Sequence, residues 1–169
     1  ASGHADLALG ISAGRPGISD IHMDTLGDVE FVFVVAPFHP LATQTEPLSA
    51  AELTAHRIIA VADTTRHTES ATVGILPGQD VLTLSSMADK LEALRRGLGC
   101  GFLPEYMVRD DVKAGRLLRK EVAQPPRITR AHYAWRQVGP QPGKALAWWL
   151  SQLSSPTTRE ALLSVPCLG

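Results

Sequence analysis

The residues of this chain best suited to chemistry are hydroxyls and one guanidinium placed where strands end. Asp63-Thr64-Thr65-Arg66-His67-Thr68 follows the apolar run Arg57 to Val61. In open α/β folds, ligands gather beyond the carboxyl ends of strands, where hydroxyls and free backbone N–H groups converge. Thr64 and Thr65 suit an anionic or polar small molecule, and Arg66 adds a bidentate fork. The competing reading is a solvated turn capped by its own threonines. Ser85 and Ser86 precede the next helix, where one of them caps the first turn and leaves other N–H groups of that turn available. Ile11 and Ser12 close the first strand, where strand-end packing is an equally good account of them.

Covalent chemistry has little to draw on. Cys100 sits between Gly99 and Gly101 in an apolar stretch. A nucleophile needs a base and an oxyanion hole, and no histidine lies near in sequence, so a buried structural thiol is expected. The six histidines lack ligand spacing such as His-x-x-x-His, so neither a metal nor a cofactor is expected. His39 belongs to a chain corner, where shape explains it. Trp135, Trp148 and Trp149 suggest ligand stacking or core packing, and the adjacent Trp148 and Trp149 cannot both face inward. No nucleophile–base pair or paired carboxylates appear, which argues against an enzyme.

The elements that must position these groups follow from periodicity. Asp6 to Ile11 reads as a short strand and Val29 to Val35 as a buried one, stopped by Pro37. Arg15 to Asp20 reads as a loop. Ser49 caps a brief helical turn, with Glu52 completing a capping box. Arg57 to Val61 and Val81 to Leu84 are strands. Ser86 and Asp89 repeat the capping spacing ahead of a helix whose apolar face carries Met87, Leu91, Leu94 and Leu98. Gly97 and Gly99 end that helix. Cys100 to Leu103 is a strand stopped by Pro104, and Ala131 to Trp135 is a returning strand. Leu146, Trp149, Leu150 and Leu153 fit an amphipathic helix; Thr157 to Gly169 is a weakly patterned tail. The alternation implies an α/β class with largely parallel pairing.

Composition narrows the classes further. A length of 169 residues fits one domain or two small lobes sharing crossover strands. The net charge of −1 and the lack of a basic stripe argue against nucleic-acid binding by this chain alone. Two distant cysteines, Cys100 and Cys167, form no disulfide framework and suit a reducing, cytoplasmic setting. A bridge between them stays open. No stretch reaches the ~18 apolar residues of a membrane span. The start, Ala1 to Asp6, lacks the regions of a signal peptide and enters a strand almost at once, as the middle of a domain does.

Two stretches carry a resemblance. Phe31 to Ala42 is a buried strand leading to Pro37-Phe38-His39-Pro40-Leu41-Ala42, and Gly97-Leu98-Gly99-Cys100-Gly101-Phe102-Leu103-Pro104 follows a short helix. Their order and spacing, from Ala5-Asp6-Leu7-Ala8-Leu9-Gly10 to the helix ending at Leu153, resemble the effector-binding domain of LysR-type transcriptional regulators. The resemblance implies two Rossmann-like lobes of the periplasmic-binding-protein type II kind, joined by crossover strands, with an effector cleft between them. The first lobe would take residues 1–39 and 131–169 and the second 40–130. Ile11, Ser12, Thr64, Thr65, Arg66, Ser85 and Ser86 would then contact a small-molecule effector.

That family's helix-turn-helix, its linker helix, and the first strand and helix of its effector domain have no counterpart in these residues. The resemblance therefore implies a fragment of a longer dimeric or tetrameric regulator that binds DNA through a segment upstream of Ala1. An unpaired edge at the start predicts self-association. The alternative is a solute-binding protein of a transporter with the same two-lobed fold.

Overall fold

The computed structural model describes residues 6–11, 21–62, 74–136 and 142–164. The chain divides into two compact units, one built from residues 1–29 and 128–165, the other from 30–127 and 166–169.

In the first unit, β1 (Leu7–Ile11) pairs antiparallel with β7 (Arg127–Arg136), Leu9 opposite Tyr133. On its other side β7 neighbours β2 (Ile21–Val35). The strand β2 starts well before Val29. Its first five residues alternate half-exposed and exposed side chains, while Phe31 to Val35 are buried throughout, so only its end looks like a buried strand in sequence. Tyr133 is buried and donates its hydroxyl to Asp24 Oδ2 at 3.0 Å. Trp135 stacks between His22 and Tyr133, at 5.4 and 5.6 Å between ring centres.

Two helices complete this unit. Helix α4 (Lys144–Ser154) buries Leu153 fully, as its spacing predicts, and half-buries Leu146 and Leu150. Trp148 and Trp149 are both exposed and meet edge to face at 5.0 Å, so neither serves the core. The supposed tail forms α5 (Pro156–Ser164), whose Leu163 packs where a side chain on Gly27 would stand. Tertiary contact, rather than a strong apolar pattern, holds this helix in place.

In the second unit, the latter half of β2 runs antiparallel to β5 (Gly101–Pro104), with Phe33 opposite Phe102, and to β6 (Leu118–Lys120), with Val34 opposite Arg119. Parallel pairing joins β3 (Ile58–Val61) to β4 (Val81–Leu84). The expectation of largely parallel pairing therefore fails among the described strands. The residues that pair with β2 and β7 arrive from the opposite direction, a choice that local sequence does not encode.

Helix α1 (Ala50–Thr54) carries the expected capping box between Ser49 and Glu52. Helix α2 (Met87–Arg95) buries Lys90, Ala93 and Leu94, while Met87 and Leu98 are exposed, so the inward face is turned from the one the apolar spacing suggests. Pro104 ends β5 and opens α3 (Glu105–Lys113), a helix not anticipated. Val32, Val34, Ile59, Ala93, Leu94, Leu103, Val108 and Leu117 form the core of this unit.

Candidate functional site

The parallel register of β3 and β4 brings Val61 opposite Leu84, and Ala62 N–H donates to the Leu84 carbonyl at 2.8 Å. Their carboxyl ends thus emerge side by side, the arrangement in which α/β sheets bind ligands. The chain leaves β3 toward Thr64, Thr65 and Arg66, which lie outside the described residues. From β4 it passes through exposed Ser85 and half-buried Ser86 into α2.

Ser86 caps α2 by accepting from Asp89 N–H at 3.1 Å. Both serine hydroxyls donate to Asp89 Oδ2, Ser86 at 2.7 Å and Ser85 at 3.0 Å. These bonds hold the Asp89 carboxyl below its ordinary range, Ser86 contributing more than Ser85. Asp89 is one methylene shorter than the Glu52 of the first capping box, and its carboxylate takes the hydroxyls. The donors are committed, while the hydroxyl oxygens keep acceptor capacity and the carboxylate sits at the positive end of the helix. This helix start therefore favours a ligand group that donates.

Ile11 is the last residue of β1, opposite Ala131. Its side chain and the whole of Ser12 lie outside the described residues. Of the residues expected to form a site, the structure thus locates Ser85 and Ser86 in detail, at the joint end of β3 and β4.

Sequence reasoning passes over Lys90. It sits inside the apolar stripe of α2 and is 4% exposed. Burial lowers its ammonium to about 8. Its Nζ lies 3.6 Å from where a side chain on Gly101 would begin. Beside it, the fully buried Cys100 is free and its thiol is pushed up to about 12 by burial. This matches an inert structural thiol. His39 is buried and accepts from Leu41 N–H through Nδ1 at 3.2 Å, fixing the 3-10 turn over Pro40–Thr43. Burial, and then His56, hold its pKa down. Among the described residues no group of three or more His, Cys, Asp or Glu converges as a metal site would require.

A cavity of about 280 Å³ opens within the second unit, lined by Phe31, Phe33, Phe102, Arg119, Gln124 and Arg127 among others. The Arg127 guanidinium lies 4.7 Å over the Phe102 ring, and Nη2 donates to Gln124 Oε1 at 3.1 Å. Its Nε is buried without a hydrogen-bond partner, and burial lowers its pKa. The other cations on the wall are paired. Arg119 holds Glu30 at 2.9 Å. Lys120 holds Glu46 at 2.7 Å and donates to the carbonyls of Ala42 and Gln44. The sequence signal for Arg127 is its place directly after Pro125-Pro126, a pair that by itself reads as a mere break.

Comparison with known proteins gives a consistent result. The profile of the LysR substrate binding domain matches residues 1–155. An uncharacterised HTH-type transcriptional regulator of Escherichia coli K12, YeeY, is 34% identical over 151 residues, covering 89% of this chain and 48% of that protein. The chain spans about half the length of the curated relatives it matches. Among solved structures, the regulatory domain of the LysR family regulator MetR from Neisseria meningitidis superposes with a TM-score of 0.65 at 18% identity, covering 96% of this chain and 73% of that one. LysG of Corynebacterium glutamicum, solved with bound effector Arg, gives 0.66 at 18% identity, covering 93% and 52%. These likenesses establish the α/β fold of a LysR-type regulatory domain.

Proposed function

The chain belongs to the LysR substrate-binding-domain family, and from that premise we propose that it is the effector-sensing part of a longer DNA-binding transcriptional regulator. The observation that carries this reading is the family match over residues 1–155. The adjacent carboxyl ends of β3 and β4 support it, because they offer a ligand-binding end within the second unit.

On this reading the two compact units serve as the two lobes, and a small-molecule inducer contacts Thr64, Thr65, Arg66, Ser85 and Ser86. The domain catalyses nothing and works in the cytoplasm as a dimer or tetramer, and DNA is bound through a helix-turn-helix segment of the longer protein. Effector binding acts as a population shift, which requires different affinities for the two regulatory states. A transporter's solute receptor is disfavoured because YeeY and the other curated relatives are HTH-type regulators.

A thermal-shift screen of the chain against small metabolites tests the proposal. A ligand at about 100 times its Kd stabilises by roughly 2.7 kcal/mol. Calorimetry of Arg66→Ala and Ser86→Ala with the ligand so found should show weakened binding. Unchanged affinity in both variants would refute this site. A coding sequence with an export signal upstream, in place of a helix-turn-helix, would refute the regulator reading.

A further inference from the structure

The described lining of the Arg127 cavity includes neither Ser85 nor Ser86 of the strand-end site. Its wall is mixed, with Phe31, Phe33 and Phe102 supplying apolar surface and Arg119, Gln124 and Arg127 supplying polar surface. Phe33 and Phe102 meet edge to face at 5.1 Å, which gives that wall a fixed shape. The space measures about 280 Å³. That suits a ligand of about ten non-hydrogen atoms, near the small end of ligand pockets.

The charges select among such ligands. Glu30 is neutralised by Arg119, and Lys120 by Glu46. Glu121 is exposed, where water screens it. Arg127 alone among the wall's cations has no carboxylate partner among the described residues. Its one hydrogen bond among them goes to a side-chain amide, and its Nε has none. A buried donor left unpaired on a charged group is costly, and Nε together with an Nη is the edge that grips a carboxylate in two parallel bonds. Because Gln124 is itself a side chain, the guanidinium can turn over the Phe102 ring to meet an entering acceptor.

We infer that this cavity is a second ligand site, taking a small monocarboxylate with an apolar body, whose carboxylate Arg127 binds while the rest lies against Phe31, Phe33 and Phe102. The site requires no residue of the effector reading and stands or falls separately from it.

The test is a fluorine NMR titration of the whole chain with 4-fluorophenylacetate, alongside the neutral 4-fluorophenylacetamide. The wild type is expected to bind the acid about tenfold or more tightly than the amide, the effect of one charge-assisted pair. Arg127→Met should lose that preference. Val122→Trp, which fills the cavity while leaving the guanidinium in place, should weaken both compounds. Equal binding of acid and amide, or full affinity in Val122→Trp, would overturn the proposal. So would the absence of any wild-type binding at about 10 mM acid, a Kd too weak for a built site.

Discussion

The ring of Phe38 rests against Gly97: a Cβ added to Gly97 would fall 2.4 Å from Phe38 Cε2. The corner that follows β2 thereby meets the end of α2, and the two stretches that carry the family resemblance touch. The three glycines of the second stretch serve two ends. Gly97 has a φ of 68°, the left-handed conformation that ends the helix. A Cβ on Gly99 would stand 2.5 Å from the Arg57 carbonyl oxygen, and one on Gly101 3.2 Å from that of Ile59.

Gly99→Ala is therefore expected to be worse than Gly97→Ala. Phe38 is 71% exposed and free to swing away, so Gly97→Ala costs mainly its backbone strain, about 1 kcal/mol. At Gly99 the obstacle is backbone. The Arg57 carbonyl accepts from Cys100 N–H at 2.9 Å, and moving it strains the junction with β3, at about 2–3 kcal/mol. Urea unfolding of both variants measures the difference. The reverse order would show that close backbone approach is not what Gly99 provides.

Asp111 ties α2 to α3. Its buried carboxylate receives Arg95 Nε at 2.9 Å and Nη2 at 2.6 Å, and Arg116 Nε as well. Burial raises its pKa, but the bonds from Arg95 and Arg116 outweigh that and leave it below its ordinary value. A carboxylate depressed in the folded state stabilises above its unfolded pKa and loses that contribution as pH falls through the folded one. Asp111→Asn should cost about 3 kcal/mol at neutral pH, with the gap to wild type narrowing in acid. A gap independent of pH would assign the loss to packing.

Lys90 makes the opposite kind of prediction. Its folded pKa is about 8 against an ordinary 10.5. Between those values the unfolded chain holds the extra proton, so wild-type stability should rise with pH across that window. Below it the full cost of burying the charge remains. Each tenfold loss of proton affinity corresponds to ~1.4 kcal/mol, and relaxation around the side chain recovers part of the total. Lys90→Met should therefore stabilise by about 2 kcal/mol at neutral pH. The gain should fade as the pH approaches 10.5. Denaturant curves at both ends of the range decide it, and a Met variant less stable at neutral pH would mean that the ammonium has a partner worth more than its desolvation.

Cys100 should resist alkylation while the chain is folded. Burial keeps the thiol protonated up to about 12, and the nucleophile is the thiolate. Iodoacetamide is thus expected to label Cys100 after denaturation and not before, read by mass spectrometry. Sγ also donates to the Arg57 carbonyl at 3.4 Å. A serine hydroxyl inherits that acceptor, so Cys100→Ser should cost about 1 kcal/mol, well short of the penalty of an unpaired polar group. Rapid labelling of the native chain would place Cys100 nearer the surface than its packing allows.

Local pattern alone determined much of this protein. The Ser49–Glu52 capping box, the Ser86 cap, strands β3 and β4, the glycine end of α2 and the buried Cys100 were all legible. Each depends on hydrogen bonds and side chains within a few residues of one another. Tertiary structure decided the rest. Strand partners lie far away along the chain, so the antiparallel pairing of β2 with β5 and β6 left no trace in periodicity. The polar-alternating start of β2 became strand by pairing, and α5 became helix by packing Leu163 on Gly27. The burial of Lys90, the orphaned Nε of Arg127 and the outward turn of Trp148 and Trp149 are set by what surrounds a single side chain. That enclosure comes into being when distant segments pack, and no stretch of sequence around those residues contains it.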